Sequence, residues 1–409
     1  MYNKIFLFFF SIYIIFGNIP RFSSILGIKT LNNIATTEIL LYLTCILFVF
    51  FTKSKVNKTV LMVSCLVLIS FLIGMVKNGF DGSAFVYCIR LIIMLNVAYF
   101  IGVAFKKEFG TNLVKAFSFL LKVYVGVILF SFIIYIFFPD SVTLWMFLNK
   151  FGIEYVGDPH YGRFISTYLD PNYYGAISII PIILCNYLYF KTNQKRYLLL
   201  LLIFAATVIL SVSRSGIAAL IIFLVFTVGK SVIFKQRIRV KGVFAIMISL
   251  CILFAFIPVY IDELSRLMSR FVGMGQDPSA LARLQTFDFG YEIFKENFML
   301  GIGYNYLSIL INNKFSLVTS VDSSLLAIMI NFGLVILGIF IVIFIRVTIS
   351  FCKKIPKTAL EQGLFYDFIA YIFISIIFSS NFNNLLLYQF WLIPIIALGV
   401  YLKEYSKEV

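Results

Sequence analysis

The sequence predicts an all-α fold: a polytopic membrane bundle of about twelve transmembrane helices with a large, partly helical extracytoplasmic loop. Three observations predict it. Of 409 residues, 61% are hydrophobic and only 13% charged, so a soluble domain of this size would show water far too much apolar surface. The apolar residues come in runs of about 20 or somewhat fewer, the length that crosses hydrocarbon as a helix. The loops between runs alternate in lysine and arginine content, as loops on the two sides of a membrane do. The whole chain, 1–409, then reads as a single integral membrane domain. Its net charge of +16 does not indicate nucleic acid, because the bases sit in short clusters between apolar runs.

Taken in order, the first run, about 5–19, follows Lys4 like a signal peptide but lacks a small-residue cleavage site, so it is expected to stay as a helix. Further spans are expected at about 36–52, 59–76, 83–105, 116–138, 173–190, 197–212, 215–229, 242–260, 322–346, 364–380 and 383–402. Only Ser211-Val-Ser-Arg-Ser-Gly216 separates the spans ending at 212 and starting at 215, which predicts a tight hairpin. Lys53, Lys55 and Lys58, then Lys106 and Lys107, Lys191, Lys195 and Arg196, Lys230 to Lys241, and Lys353, Lys354 and Lys357 fall on one face with both termini. That face is cytoplasmic by the excess of bases on the inner side. The outer face receives two long loops, 139–172 and 261–321, and the short segments around Arg214 and Asn381. The six cysteines have no CxxC spacing, which supports neither a disulfide framework nor a zinc site.

The second outer loop has helical content. Asp277 can cap a helix that Pro278 begins, and Leu281, Leu284, Tyr291, Phe294 and Phe298 fall in one apolar arc. An amphipathic helix over about 278–298 is expected on the outer surface or over the bundle, with Arg283 at the edge of the arc. Gly301-Ile-Gly303 follows as a hinge or a close-packing signal, and Arg266 and Arg270, four apart, would share one side of a short helix.

Arg163, Arg214, Arg266, Arg270 and Arg283 are therefore all expected outside, where basic residues are disfavoured. Arginine is also the side chain whose planar fork grips phosphate oxygens in pairs, so a pyrophosphate group is a fitting ligand. The competing reading is that each pairs with an acid such as Asp158, Asp170, Glu263 or Asp288, or meets lipid headgroups. The stretch from His160 to Gly175 joins Arg163 to Asp170-Pro-Asn172, which is either part of a site or a turn that caps the next helix. His160, the single histidine, and Asp322, at the start of an apolar run, are candidate bases; a surface histidine and a helix cap are the alternatives. Tyr155, Tyr161, Tyr168, Tyr173, Tyr174 and Tyr304 can stack on sugars or anchor at the interface. Arg90 lies about two turns inside its span, beneath the outer site or snorkelling.

Arg163-Phe164 with Pro171-Asn172-Tyr-Tyr-Gly175, then Ser211-Val-Ser-Arg-Ser-Gly216, then Arg283 ahead of Leu300-Gly-Ile-Gly303, come in the order and spacing of one family. Over about 155–340 the chain resembles the O-antigen polymerase and O-antigen ligase superfamily. The resemblance implies glycosyl transfer from undecaprenyl-diphosphate-linked glycans at the outer face of the bacterial cytoplasmic membrane. The resemblance makes Arg163, Arg214 and Arg283 the matching catalytic arginines; the residues' own chemistry adds Asp322 as a catalytic candidate and His160, Asn172, Arg266, Arg270 and Tyr304 as substrate-binding candidates. No cofactor or metal is implied. Expected partners are the bilayer, the lipid-linked oligosaccharide, and flippase and chain-length regulator proteins. Ligases of this superfamily carry a histidine before the helix that follows the large loop, whereas this chain has Ser320-Val-Asp-Ser-Ser324 there. That departure favours a polymerase of O-antigen, capsule or exopolysaccharide. The rival class is a flippase or transporter of the same lipid-linked sugars.

Overall fold

The computed structural model describes residues 1–19, 35–138, 140–150, 160–233, 278–307, 310, 321, 323–353, 355–356, 358–381 and 383–408, with backbone only at 231–233 and 278–284. Among them no strand forms; Asp140 and Tyr161 make one isolated antiparallel bridge.

The helices are α1 (Tyr2–Phe16), α2 (Thr36–Thr52), α3 (Lys58–Asn78), α4 (Gly82–Phe109), α5 (Leu113–Phe137), α6 (Ser141–Asn149), α7 (Pro171–Ile177), α8 (Ile179–Thr192), α9 (Lys195–Leu210) and α10 (Arg214–Ile233). After them come α11 (Pro278–Glu296), α12 (Ser324–Cys352), α13 (Ala359–Ile377) and α14 (Gln389–Tyr405). Their starts follow local chemistry. Asn57, Asp81, Asn112 and Asp140 each accept a backbone N–H of the following turn, at 2.7, 2.7, 3.0 and 2.7 Å, satisfying donors that have no partner within the helix. Gly79 and Gly110 stop α3 and α4 at φ of 84° and 57°, where a side chain would be strained.

Among the described residues, six helical stretches are long and apolar enough to cross a membrane: Lys58–Asn78, Gly82–Phe109, Leu113–Phe137, Pro171–Thr192, Ser324–Cys352 and Ala359–Asn381. α1 and α2 are equally apolar but have 15 and 17 residues. Helices α9, α10 and α14 stand at other expected spans, and the run at 242–260 lies outside the described residues. Large apolar side chains such as Ile46, Phe50, Leu129, Ile136 and Val342 point outward from the helices, as they do where lipid is the solvent. Inside, small residues allow close approach: a Cβ on Gly102 of α4 would sit 2.7 Å from the Ala397 carbonyl of α14.

The expected lysine end is assembled. Lys107 reaches Ser54 at 2.8 Å, Lys106 pairs with Glu408, Lys4 lies 3.8 Å from Glu108, and Lys191 lies 3.7 Å from Glu361. Lys230 departs from its expected place in a solvent-facing cluster. It is buried in α10, paired with Asp367 of α13 and bonded to the Gly363 carbonyl at 2.9 Å, so it serves packing. Separation by 137 residues hides such a partner from a reading of local pattern.

Arg90 does not snorkel; it is held inside the bundle by a carboxylate. Its Nε and Nη2 donate to the two carboxylate oxygens of Glu38, both at 2.7 Å, and it also contacts Gln389. Glu38 is fully buried, so this pair ties α2, α4 and α14 together away from water. Removing one partner strands the other charge. Arg90→Ala is expected to cost about 3–5 kcal/mol and to lower the thermal midpoint of the detergent-purified protein by several degrees. An unchanged midpoint would mean the pair carries no stability.

The run expected as one continuous helix at 322–346 is broken. Gly333 adopts φ 63° and ψ 175° inside α12, and the chain from 298 to 303 fills the gap. Ile302 and Gly303 N–H donate to the Ile330 and Asn331 carbonyls at 2.9 and 3.2 Å, while Leu334 and Val335 N–H donate to Phe298 and Met299 carbonyls at 2.8 and 3.1 Å. Backbone left open at membrane depth is costly, so a break persists where protein groups satisfy it. Gly301-x-Gly303 is thus a close-packing signal, not a hinge: a Cβ on Gly303 would meet the Gly74 Cα of α3 at 2.2 Å. Lys77 at the end of α3 completes the joint, donating to the Gly301 carbonyl at 2.8 Å.

α11 forms where the amphipathic helix was expected, but its inner face differs. Gly290 and Ile293 are buried against α12, and a Cβ on Gly290 would come within 2.9 Å of Leu326. Tyr291 and Phe298 of the predicted arc are exposed. Phe294 of the arc does pack against the core, partly buried, while the close approach to α12 is made at Gly290, which a reading of large side chains passes over.

Candidate active site

The site is built where the stretch from His160 crosses the corner between α9 and α10. Phe164 N–H donates to the Leu210 carbonyl at 3.0 Å, laying the stretch along the end of α9. The last carbonyls of a helix lack partners within it, and a cation nearby also suits the helix dipole. Arg163 fills that role: Nε donates to the Ser211 carbonyl at 3.0 Å and Nη2 to the Val212 carbonyl at 3.2 Å. Nη2 also donates to Asn172 Oδ1 at 3.1 Å, and Nη1 lies 3.3 Å from His160 Nδ1. One guanidinium therefore joins three segments of the predicted motif.

A guanidinium only donates, so His160 Nδ1 accepts, which assigns the proton of the neutral ring to Nε2. His160 is itself buried and anchored to the start of α6, its N–H donating to Ser141 Oγ at 2.8 Å and its carbonyl accepting from Ser141 N–H at 3.0 Å. Asp170 takes its capping role: one carboxylate oxygen accepts from Asn172 and Tyr173 N–H at 2.6 and 3.2 Å, starting α7.

Arg214 opens α10 two residues beyond the Val212 carbonyl that Arg163 holds, and it is half-buried there. Val212 turns the corner in the left-handed region, φ 49°, and Ser213 caps the helix by accepting from Gly216 N–H at 3.1 Å. Gly216 meets Gly175 of α7 so closely that a Cβ on it would stand 2.8 Å from the Gly175 Cα. The two glycines that end the two motifs are in contact, which explains their occurrence together.

The remaining expected residues divide. Arg283 lies on α11, whose backbone is described at that position; Asp322, Arg266, Arg270 and Tyr155 lie outside the described residues. The neighbours of Asp322, Val321 and Ser323, are buried, and Ser323 caps α12 by accepting from Leu326 N–H at 3.3 Å. Tyr304 is 8% exposed with its ring 5.6 Å from Phe332, and burial pushes its phenol up, so it is held as an interior residue instead of a sugar platform. Tyr168 and Tyr174 are also interior, Tyr174 donating to Thr207 Oγ1 at 2.6 Å, whereas Tyr161 is exposed. Tyr173 stacks on Tyr388 at 3.9 Å.

Sequence reasoning missed Asn383, Ser215 and Ser324. Asn383 Nδ2 donates to Ser215 Oγ at 3.1 Å, and Ser324 Oγ donates to the Asn383 carbonyl at 2.7 Å. The signal available was the polar Ser379-Ser-Asn-Phe-Asn-Asn384 stretch interrupting two apolar runs.

Taken together, a half-buried arginine at a helix start, a second arginine locked to the same corner and a buried imidazole form a cationic, hydrogen-bonding end on an apolar bundle. Such a surface suits a polyanionic headgroup on a lipid. No curated protein and no solved structure matches the chain. Residues 198–341 match a family model described as O-antigen ligase, a stretch that includes Arg214, Arg283, Gly301 to Gly303 and Asp322 and leaves out His160, Arg163 and Asn172. This match supports the O-antigen ligase and polymerase superfamily that the ordered motifs resemble.

Proposed function

We propose that this protein is a polysaccharide polymerase of the bacterial cytoplasmic membrane. It transfers a growing O-antigen, capsule or exopolysaccharide glycan from undecaprenyl diphosphate to a sugar hydroxyl on a second lipid-linked unit at the outer face, with both termini inside. The observation that carries the reading is the shared corner of Arg163 and Arg214 at one end of an apolar bundle, within and beside the matched family stretch. As the anomeric bond breaks, the diphosphate leaving group gains negative charge. Fixed arginines aimed at it stabilise the transition state more than the ground state. Arg214 and Arg283 are assigned to that diphosphate, Arg163 to holding the corner and the headgroup, Asp322 to the acceptor proton, and His160, whose Nδ1 is engaged by Arg163, to substrate binding. Direct displacement inverts the anomeric centre. The arginines provide the charge stabilisation themselves, so the reaction is expected to run without a metal or cofactor. Arg266, Arg270 and Asn172 are assigned to the sugars and phosphates.

The ligase reading is kept beside it because the matched model is described by that activity; the absence of any histidine after His160 favours the polymerase. Purified protein is incubated with undecaprenyl-diphosphate-linked repeat units, with chelator and without nucleotide sugar, and the glycans are resolved by size. A ladder of lengths is expected. A single transfer onto an added lipid A core acceptor would select the ligase, and passage of the lipid across a vesicle bilayer without lengthening would select a transporter. Activity lost to chelator would end the metal-free mechanism.

A further inference from the structure

We infer that Asn383 is a positioning residue for Arg214, through the hydrogen bond from its side chain to Ser215. This rests on the proposed reading that Arg214 faces the lipid diphosphate, and it adds a residue beyond the stretch that the family model covers. Ser215 is the residue after Arg214 in the first turn of α10, and it is buried. Its hydroxyl receives Asn383 Nδ2 at 3.1 Å and lies 3.2 Å from the capping Ser213 Oγ. The backbone carbonyl of the same Asn383 accepts from Ser324 Oγ at 2.7 Å, and Ser324 Oγ in turn accepts from Leu386 N–H at 3.2 Å. Ser324 is the first residue of α12.

One buried residue in the loop before α14 thus spaces the starts of α10 and α12. Asn383, Ser213, Ser215 and Ser324 are each at least nine-tenths buried, so their side-chain bonds are shielded from water and each group depends on the others. The neighbouring position at the α10 start, Gly216, packs against Gly175 of α7. These two contacts brace the first turn of α10, and through it they set the bearing of Arg214 at its head. Displacement of a charged group by about 1 Å is enough to cost about 100-fold in rate, so holding that bearing is a catalytic requirement even for a residue that touches no substrate.

The test compares Asn383→Ala, Ser215→Ala, the double variant and Arg214→Ala in detergent-purified full-length protein. Three quantities are read: the thermal midpoint, binding of undecaprenyl diphosphate, and kcat and KM for transfer between lipid-linked repeat units. The expected result is a loss of about 10- to 100-fold in kcat for Asn383→Ala and Ser215→Ala, with KM moved far less. The double variant should be no worse than Ser215→Ala, because the bond that Asn383→Ala gives up is one that Ser215→Ala already removes. A lowered midpoint with unchanged kcat per folded molecule overturns the inference, as do losses that multiply in the double variant. Where Asn383→Ala does not accumulate, Ser215→Ala removes the same bond from its other end and decides alone. If Arg214→Ala is impaired while Asn383→Ala behaves as the wild type, the inference fails and the proposed function stands. If the wild type neither binds undecaprenyl diphosphate nor extends glycan, the proposed function fails and takes the inference with it.

Discussion

Arg214→Ala is expected to leave membrane levels and thermal midpoint close to the wild type while lowering polymer formation at least about 100-fold, the loss seen when one group aimed at developing charge is removed. The stability half of this prediction rests on position. Arg214 is the first residue of its helix and half-buried, and the cap at that helix start comes from Ser213, so truncating the arginine leaves the capping bond in place. Arg163→Ala should behave differently although it too abolishes polymer. Its guanidinium satisfies the Ser211 and Val212 carbonyls and holds Asn172, and a buried acceptor left without its donor costs about 1–3 kcal/mol. A lowered midpoint is therefore expected for Arg163→Ala alone. Arg163→Lys should not rescue either property, because a single ammonium cannot reach the carbonyls and the amide at the geometry of a planar fork. Size-resolved glycans from membranes, together with thermal unfolding of each purified variant, read both halves. Normal ladders from Arg214→Ala would remove the proposed site.

Gly303→Ala and Gly333→Ala are expected to prevent assembly altogether. At Gly303, φ is 99° and a Cβ would stand 2.2 Å from the Gly74 Cα; at Gly333, φ is 63° and a Cβ would stand 2.3 Å from the Gly301 N. The clash is with backbone, which cannot swing aside as a flexible side chain can. Left-handed backbone costs about 1–2 kcal/mol for a residue with a Cβ, overpacking about 1–3 kcal/mol more, and separation of the joint exposes four backbone hydrogen bonds to hydrocarbon. Domains are stable by about 5–15 kcal/mol, so either substitution removes much of the margin. Gly79→Ala provides the comparison: φ is 84° there too, but a Cβ would meet nothing within 4 Å, so strain acts without the clash. Membrane levels measured by a C-terminal tag should fall to near zero for the first two and moderately for the third. Equal levels in all three would show that the joint is not required for assembly.

What was legible in the sequence, and what was not, follows from the range of the forces involved. Composition, apolar run length and charge between runs are properties of neighbouring residues, and they determined the helical class, a helix at 36–52 with those same bounds, the lysine end, and α11 with Pro278 at its start. Capping is equally local, so Asp170 could be read as the start of a helix, and the ordered motifs brought Arg163 and Arg214 under suspicion before any contact was known. Only the tertiary structure decided that Arg163 binds carbonyls 48 and 49 residues away and that Arg90 belongs to Glu38. It alone decided that Lys230 is interior and that Asn383 links two helix starts. The break at Gly333 was invisible for the same reason. An apolar run with only two glycines reads as a continuous helix, and its interruption at the first of them is stable because a segment some 30 residues earlier supplies the missing hydrogen bonds. Buried polar groups must find partners wherever the fold brings them, and sequence distance carries no record of which ones meet.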